Sequence, residues 1–388
     1  MAKQKKKRSV PVRILRGAGF VLLAVVVLLA GLIAFLSITE YKPAEREAVA
    51  PADPYSASAA LNEGATLTVM TWNTGYGALG DNADFFMDGG KMVNTATEER
   101  VNENLNGMLA KIRGIAPDVL FLQETDRGSA RSHNTDEAKF FLDNLPGYRM
   151  SFANNFKVSF LPYPIPPIGK VDSGLATYSV YASESSERVQ LPIPFSWPMR
   201  MANLKRCVLI DRIPIEGTGR QLVLVNLHLE AYDNGEGKAA QTEMLRSILE
   251  TQAANGNYVI AGGDFNQIFS SADTGAYPAQ EGKWQCGEID VSAFPEGWQF
   301  LMDARVPSCR SLDQPYAGAD KEGFQYYLID GFIVSANVRI EQLETLDAGF
   351  VNTDHNPVLM TVTPRACRCR EYLYKGGQTD GFCKRALQ

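Results

Sequence analysis

The sequence predicts an α/β domain over residues 64–364, preceded by one membrane-spanning helix at residues 17–39. Three observations predict it. From Gly17 to Thr39 there is no charged residue. Two later stretches, 66–122 and 221–261, each read as a strand, an amphipathic helix and a buried strand. The residues closing the apolar strands are carboxylates, amides and imidazoles, at the place where open α/β sheets carry their chemistry.

The N-terminal head, residues 1–16, holds seven basic residues (Lys3, Lys5, Lys6, Lys7, Arg8, Arg13, Arg16) and no acid. The run behind it is almost wholly aliphatic from Phe20 to Leu36. At about 1.5 Å per residue, roughly 20 such residues cross a hydrocarbon layer of about 30 Å. A buried core helix would carry a polar face, which this run lacks. A cleaved signal peptide has a shorter apolar part, roughly 7–15 residues, and a small-residue cleavage site. The nearest A-x-A pattern, Ala48-Val49-Ala50, lies well beyond the run and precedes Pro51. The segment is therefore expected to stay as a single-pass anchor in the cell membrane. The basic head would lie in the cytoplasm and everything after about Glu40 outside it. Residues 40–63, rich in Ala, Pro, Ser and Glu, are expected as a linker.

The 388 residues are 45% hydrophobic and 21% charged, a globular composition. The net charge of −6 is unevenly spread. The tail, residues 365–388, has six basic residues against Glu371 and Asp380; between head and tail remain 25 basic and 42 acidic residues, about −17. Such a body lacks the Lys and Arg that non-specific nucleic-acid binding needs. A phosphate substrate stays compatible with it, because a bound cation inverts the local field. Six cysteines fit an oxidising compartment. Cys286 and Cys309 are a candidate pair, Cys367, Cys369 and Cys383 cluster in the tail, and Cys207 reads as a buried thiol. None forms a zinc pattern.

Within the domain, Thr66–Thr71 alternates and is β-branched, as a strand should be. Thr95 and Glu98 have capping-box spacing ahead of a helix with Val101, Leu105, Met108, Leu109 and Ile112 on one face. Gly114 and Pro117 are expected to end it, and Asp118–Leu122 is a short buried strand. The second unit is a strand at Gln221–Leu227, a helix at Lys238–Ala254 with Met244, Leu245, Ile248 and Leu249 inward, and a strand at Tyr258–Ala261.

At the strand ends stand Thr71-Trp72-Asn73, Gln123-Glu124, Asn226-Leu227-His228-Leu229, Gly263-Asp264-Phe265-Asn266, Ile329-Asp330 and Thr353-Asp354-His355. A single Asp or Asn after a strand is usually a turn residue that bonds its own backbone. As a set they mean more, because the chain has only three histidines and two of them fall here. Oxygen donors suit Mg²⁺ or Mn²⁺; imidazoles suit proton transfer or phosphate contact.

These six segments, in this order over about Leu67 to Thr363, resemble the endonuclease/exonuclease/phosphatase superfamily. It includes deoxyribonuclease I, apurinic endonucleases, sphingomyelinases and inositol-polyphosphate 5-phosphatases. The resemblance implies a four-layer α/β/β/α sandwich of two mixed sheets flanked by helices. It implies a phosphoester hydrolase using Mg²⁺ (or Mn²⁺), with Glu124, Asn73 and Asp354 at the metal. Asp264 and Asn266 would align the attacking water, with Asp264 favoured as base. His355, oriented by Asp330, would hold or protonate the phosphoryl oxygens, and His228 would contact the phosphate opposite. Some nucleases of the family use an Asn-x-x-Arg spacing as a phosphate clamp, which falls on Asn203 and Arg206; the plain alternative is that Arg206 is a strand-end cation. Two departures touch no expected ligand: Val180 stands where many members have a basic residue, and Thr353 replaces the commoner Ser.

Substrate choice should lie in three unusual loops: Tyr76–Met92, the proline-rich Leu161–Lys170, and Leu191–Met199 with Phe195 and Trp197. Such loops commonly pack as rigid connections. Set beside an anchor, their aromatic residues also suit the membrane interface. The favoured expectation is a lipid headgroup or other small phosphoester. The alternatives are an extracellular DNA or RNA nuclease and a non-catalytic binding module on the same fold.

Overall fold

The computed structural model describes residues 10–56, 59–233 and 235–365. The first nine residues of the basic head and the cysteine-bearing tail from 366 lie outside the described residues, so the expectations placed on them are not addressed. Helix α1 (Val10–Thr39) is followed by β1 (Arg46–Ala48), β2 (Leu61–Asn62), β3 (Leu67–Asn73), α2 (Glu98–Ile115) and β4 (Val119–Asp126). Then come α3 (Glu137–Asn144), β5 (Arg149–Leu161), β6 (Gly169–Ser179), β7 (Ser185–Gln190), β8 (Cys207–Glu216) and β9 (Arg220–His228). Helix α4 (Glu236–Ala254) leads into β10 (Tyr258–Asp264), β11 (Gln267–Phe269), β12 (Gly287–Ile289), β13 (Gln299–Leu301) and β14 (Cys309–Arg310). The last strands are β15 (Tyr326–Tyr327), β16 (Asp330–Val334), β17 (Val338–Thr345) and β18 (Val358–Pro364).

One sheet runs β17-β18-β3-β4-β6-β5; the other runs β1-β7-β8-β9-β10-β16-β13, with β2 beside β8. Both are mixed: β3 is parallel to β4 and β9 to β10, while the pairs flanking them are antiparallel. The sheets face each other across a core that includes Val69, Phe121, Leu224, Ile260, Phe332 and Met360. Helices α2 and α3 cover the outer face of the first sheet and α4 that of the second. This is the expected four-layer sandwich. A buried polar bridge also ties the layers: Gln123 Nε2 donates to Asn226 Oδ1 at 2.8 Å, and Asn226 Nδ2 donates to the Ala176 carbonyl at 3.0 Å. Among strands packed on both faces, that contact fixes one register of sheet on sheet.

Several boundaries differ from expectation. The cap of α2 is Thr97, whose side chain accepts from Arg100 N at 3.3 Å, and not Thr95. Gly114 does not end α2, which runs to Ile115 and closes on Ala116 in the left-handed region. The strands of the two units extend to Asn73, Asp126, His228 and Asp264, so the polar residues belong to the strands, with Asn73, His228 and Asp264 as last residues and Glu124 inside β4. The segment expected as a linker is built into the domain: β1 pairs with β7 and β2 with β8. Its Pro and Ala content hides short edge pairings that tertiary partners supply. Cys286 and Cys309 are free thiols packed near one cluster with Trp284 and Tyr327; Cys207 is buried, as expected.

Within α1, Ile14–Thr39 is long and apolar enough to cross a membrane, a property that a signal sequence near an N-terminus shares. Its C-terminal turn touches the domain. Ser37 Oγ lies 3.0 Å from Met201 Sδ, and the buried Glu40 carboxylate meets Lys205 Nζ at 3.3 Å and Arg200 Nε at 3.5 Å.

Gly263 illustrates how tightly β9 and β10 approach. Its φ is +154°, and an added Cβ would stand 1.9 Å from the Leu227 carbonyl oxygen. Gly263→Ala is expected to destabilise the protein by at least about 1–3 kcal/mol, the usual cost of overpacking. A thermal melt of the full chain in detergent reads this, and an unshifted midpoint would contradict the close approach.

Candidate active site

Parallel pairs β3–β4 and β9–β10 end at one edge of the sandwich, one pair from each sheet. Register alone brings three site residues together: Asp264 faces His228 on β9 and Asp330 on the antiparallel β16. The loop before β18 adds Asp354 and His355. Eight of the ten expected residues form this cluster, counting Asn73, Glu124 and Asn266 with those five, and all but Glu124 are almost fully buried.

Asp264 is the hub. Its Oδ2 accepts from Asn73 Nδ2 at 3.0 Å and lies 3.4 Å from His228 Nε2 and 3.9 Å from His355 Nε2. Its Oδ1 accepts from the Asn266 backbone N at 2.9 Å. Burial and the like charge of Asp330 hold this carboxyl up at about 7. A carboxyl with that affinity is suited to exchange a proton near neutrality.

The two imidazoles differ in charge. Asp330 Oδ2 lies 2.8 Å from His355 Nδ1, leaving Nε2 toward the site, 3.8 Å from Asp354 Oδ2. Burial alone would favour neutral His355, but Asp330, Cys309 and Asp354 outweigh it and keep the ring cationic. Trp72 Nε1 fixes its backbone by donating to the His355 carbonyl at 2.9 Å. His228 goes the other way: burial, then the positive charges of Arg206 and His355, hold it neutral. Its Nδ1 has no hydrogen-bond partner among the described residues.

Local backbone strain sits where the side chains are aimed. Glu124 has φ +54° inside β4, at a register shift between Leu122 and Thr125 that turns its carboxylate out of the ladder. Asn266 (φ +50°) and Tyr76 (φ +41°) are likewise left-handed non-glycine residues. Such conformations persist only where surrounding structure holds them.

The donor set fits a hard cation. Glu124 Oε1 accepts from Asn73 Nδ2 at 3.4 Å. Burial raises the proton affinity of Glu124, Arg131 opposes it, and the charge of Asp354 raises it further. Glu124 and Asp354 supply carboxylate oxygens of the kind Mg²⁺ or Mn²⁺ accepts, while Asn73 turns its Nδ2 to Glu124 and its oxygen to Gly75 N at 3.0 Å.

Asn203 and Arg206 line the same cavity on the His228 side, outside this cluster. Arg206 is not free: its Nε lies 3.4 Å from Glu230 Oε2 and its guanidinium donates to the His228 carbonyl at 3.3 Å. The Asn203 side-chain oxygen accepts from Leu204 N. Sequence reasoning passed over Arg131, whose guanidinium stacks 3.7 Å from the Tyr76 ring centroid and pairs with buried Asp126 at 3.0 Å. It lies in a short turn with no periodicity, so no pattern marks it. Cys309 beside His355 was read only as a candidate disulfide.

The site opens into a cavity of about 610 Å³ whose far wall is α1 itself, through Leu32, Ile33 and Leu36. Phe86, Met87, Leu161, Phe195 and Met199 from the three unusual loops, with Phe156 from β5, complete an apolar lining.

The model of the Endonuclease/Exonuclease/phosphatase family matches residues 70–349. Among solved structures the chain is similar to an endonuclease/exonuclease/phosphatase from Beutenbergia cavernae DSM 12333, at 16% identity. The match covers 78% of this chain and 72% of that one, with a TM-score of 0.51. It is also similar to one from Bacteroides vulgatus, at 14% identity over 78% of this chain and 100% of that one, TM-score 0.51. These likenesses bear on the fold. No curated protein matches the sequence.

Proposed function

Because the chain belongs to the endonuclease/exonuclease/phosphatase family, we propose that it is a membrane-anchored, divalent-metal-dependent hydrolase of lipid headgroup phosphoesters, acting outside the cytoplasmic membrane. One observation carries the substrate class: the cavity that holds Glu124, Asp264 and His355 is walled by the bilayer-length helix α1. A lipid leaving the adjacent leaflet would keep its chains against apolar side chains while its headgroup reached the cluster. On the two proline-containing loops that contribute to the cavity, Ile165, Tyr163, Met199 and Trp197 expose large apolar surface, from 57 to 93% of each residue. Exposed apolar residues grouped beside an anchor are a surface for the interface. The docked Glu40–Lys205 pair holds the helix to the domain so that opening and bilayer stay in register. The basic head favours a cytoplasmic N-terminus, which supports a domain on the other side.

In this reading Glu124 and Asp354, with Asn73 beside them, would hold Mg²⁺ or Mn²⁺, and the ion would supply charge stabilisation to the phosphoryl group. Asp264, ionised, takes the proton of the attacking water, and Asn266 helps hold that water in line. Cationic His355, steered by Asp330, binds a phosphoryl oxygen and supplies a proton to the leaving oxygen. Neutral His228 contacts the phosphate from the opposite side. Arg206, tethered to Glu230, lends positive potential to the wall together with Asn203.

A panel of sphingomyelin, phosphatidylinositol phosphates, soluble inositol phosphates and plasmid DNA, run on the full chain with Mg²⁺ and with chelator, tests the assignment. Chelator-sensitive cleavage of a lipid above the others is expected. Preferential cleavage of DNA would replace it with the nuclease reading, and no chelator-sensitive activity would leave a binding module. Changing Ile165 and Trp197 to Ser is expected to lower turnover of bilayer lipid about tenfold or more, given roughly 1.5–3 kcal/mol per buried apolar side chain. Hydrolysis of a soluble headgroup ester should be unaffected. Equal rates on liposomes would sink the interfacial role.

A further inference from the structure

Cys309 is neither ligand, acid nor base in the reaction above, though it lies against His355, and it lines the same cavity. Strand β14 crosses the loop before β18 as a short antiparallel bridge: Arg310 N donates to the Asp354 carbonyl at 3.1 Å and Asn356 N to the Ser308 carbonyl at 2.8 Å. The bridge sets Cys309 directly opposite His355. Residues so paired present their side chains on one face, with Cβ atoms about 4.5–5.5 Å apart. One ligand atom from each of Cys309, Asp354 and His355 lies within 4.8 Å of the other two, and all three residues are buried. Other contacts leave these atoms available. Asp330 occupies His355 Nδ1 and leaves Nε2 free of it, while the thiol donates to the neighbouring Arg310 carbonyl at 3.4 Å and is within hydrogen-bond reach of His355 itself. Cys286 and Cys207, the other described thiols, lack such partners.

We propose that Cys309, Asp354 and His355 form a second, thiophilic cation site, for Zn²⁺ or Cd²⁺, whose occupation inhibits the enzyme. Sulfur, imidazole and carboxylate with one side open to the cavity are the ligands of a four-coordinate zinc site that keeps a free position. Thiolate selects softer cations and gives Mg²⁺ nothing it prefers over oxygen. Binding forms a metal–sulfur and a metal–nitrogen bond, and the displaced thiol and imidazolium protons pass to solvent. With the metal in place, His355 no longer has a proton to give and Asp354 is shared away from Glu124. The hard cation and the soft one therefore compete for one aspartate. The inhibitory consequence rests on the proposed hydrolase reading; the binding site itself does not.

The test uses the full chain in detergent with Cys367, Cys369 and Cys383 changed to Ser, so that the tail thiols do not contribute. Titrated with Cd²⁺ in the absence of Mg²⁺, it should show a thiolate-to-cadmium ultraviolet band saturating at one equivalent. Cys309→Ser and Asp354→Asn should each abolish that band, and Cys286→Ser should leave it unchanged. Measured against its own uninhibited rate, Cys309→Ser should raise the Zn²⁺ concentration for half inhibition by at least about tenfold, as loss of a metal-site group does. A band that survives Cys309→Ser, or that disappears with Cys286→Ser, overturns the site. A normal band in a protein whose turnover Zn²⁺ does not touch overturns the inhibition. If no substrate is cleaved at all, the spectroscopic titration still decides the site, and only the hydrolase reading falls.

Discussion

Asp264→Asn is expected to reduce turnover at least about 100-fold, within the roughly 10²–10⁴-fold range of acid–base groups, without unfolding the site. An amide oxygen can still accept from the Asn266 backbone, the contact that holds this corner at 2.9 Å. What it loses is basicity, which burial and Asp330 have raised to about 7 in the carboxyl. The matched change is His355→Ala, which removes the cation that Asp330 maintains at 2.8 Å and is expected to cost a similar factor. The two act on opposite sides of one phosphoryl transfer, so their losses should be less than additive when combined. Thermal melts of both variants separate chemistry from folding. Near-normal turnover in either, with an intact melt, would remove that residue from the reaction.

The sequence made the core of this site legible because strand register does the assembling. Once Asn226-Leu227-His228 and Gly263-Asp264 are read as ends of neighbouring strands, their pairing is fixed by the period of two, and Asp264 must lie beside His228. The helix faces of α2 and α4 were equally legible, since Val101, Leu105, Met108 and Ile112 repeat at helical spacing and are buried. What escaped depends on distant contacts. β1 and β2 are strands only because β7 and β8 offer edges to them, and nothing in residues 40–63 alone alternates. The left-handed Glu124 cannot be read from Gln123-Glu124, because the bulge arises from the partner β6. Arg206 shows what spacing leaves out. The Asn203–Arg206 pattern raised a phosphate clamp and a plain strand-end cation alike, and the partner of the guanidinium, Glu230, stands 24 residues later. The loops were noted for composition, but that they and α1 enclose one cavity is a property of the fold.

Glu124→Gln should move the Mg²⁺ dependence by at least about tenfold, equivalent to about 1.4 kcal/mol of binding. Gln preserves size, can keep the left-handed backbone as well as Glu does, and its amide oxygen can still accept from Asn73. It removes the negative charge of half-buried Glu124, which the charge of Asp354 opposes. That pair makes a second, opposite expectation. Without metal, Glu124 is held in an environment that burial and Asp354 make unfavourable for its charge, offset by Arg131. In chelator, then, Glu124→Gln should melt at or above the wild-type temperature, because a partly desolvated charge opposed by Asp354 is gone. Saturating Mg²⁺ should raise the wild-type midpoint by mass action and the variant's much less. The crossing of the two curves is specific to a metal ligand, since a residue that merely packs would lose stability in both conditions. An unchanged Mg²⁺ titration, or a variant less stable than wild type in chelator, would assign Glu124 a structural role and move the cation elsewhere among the carboxylates.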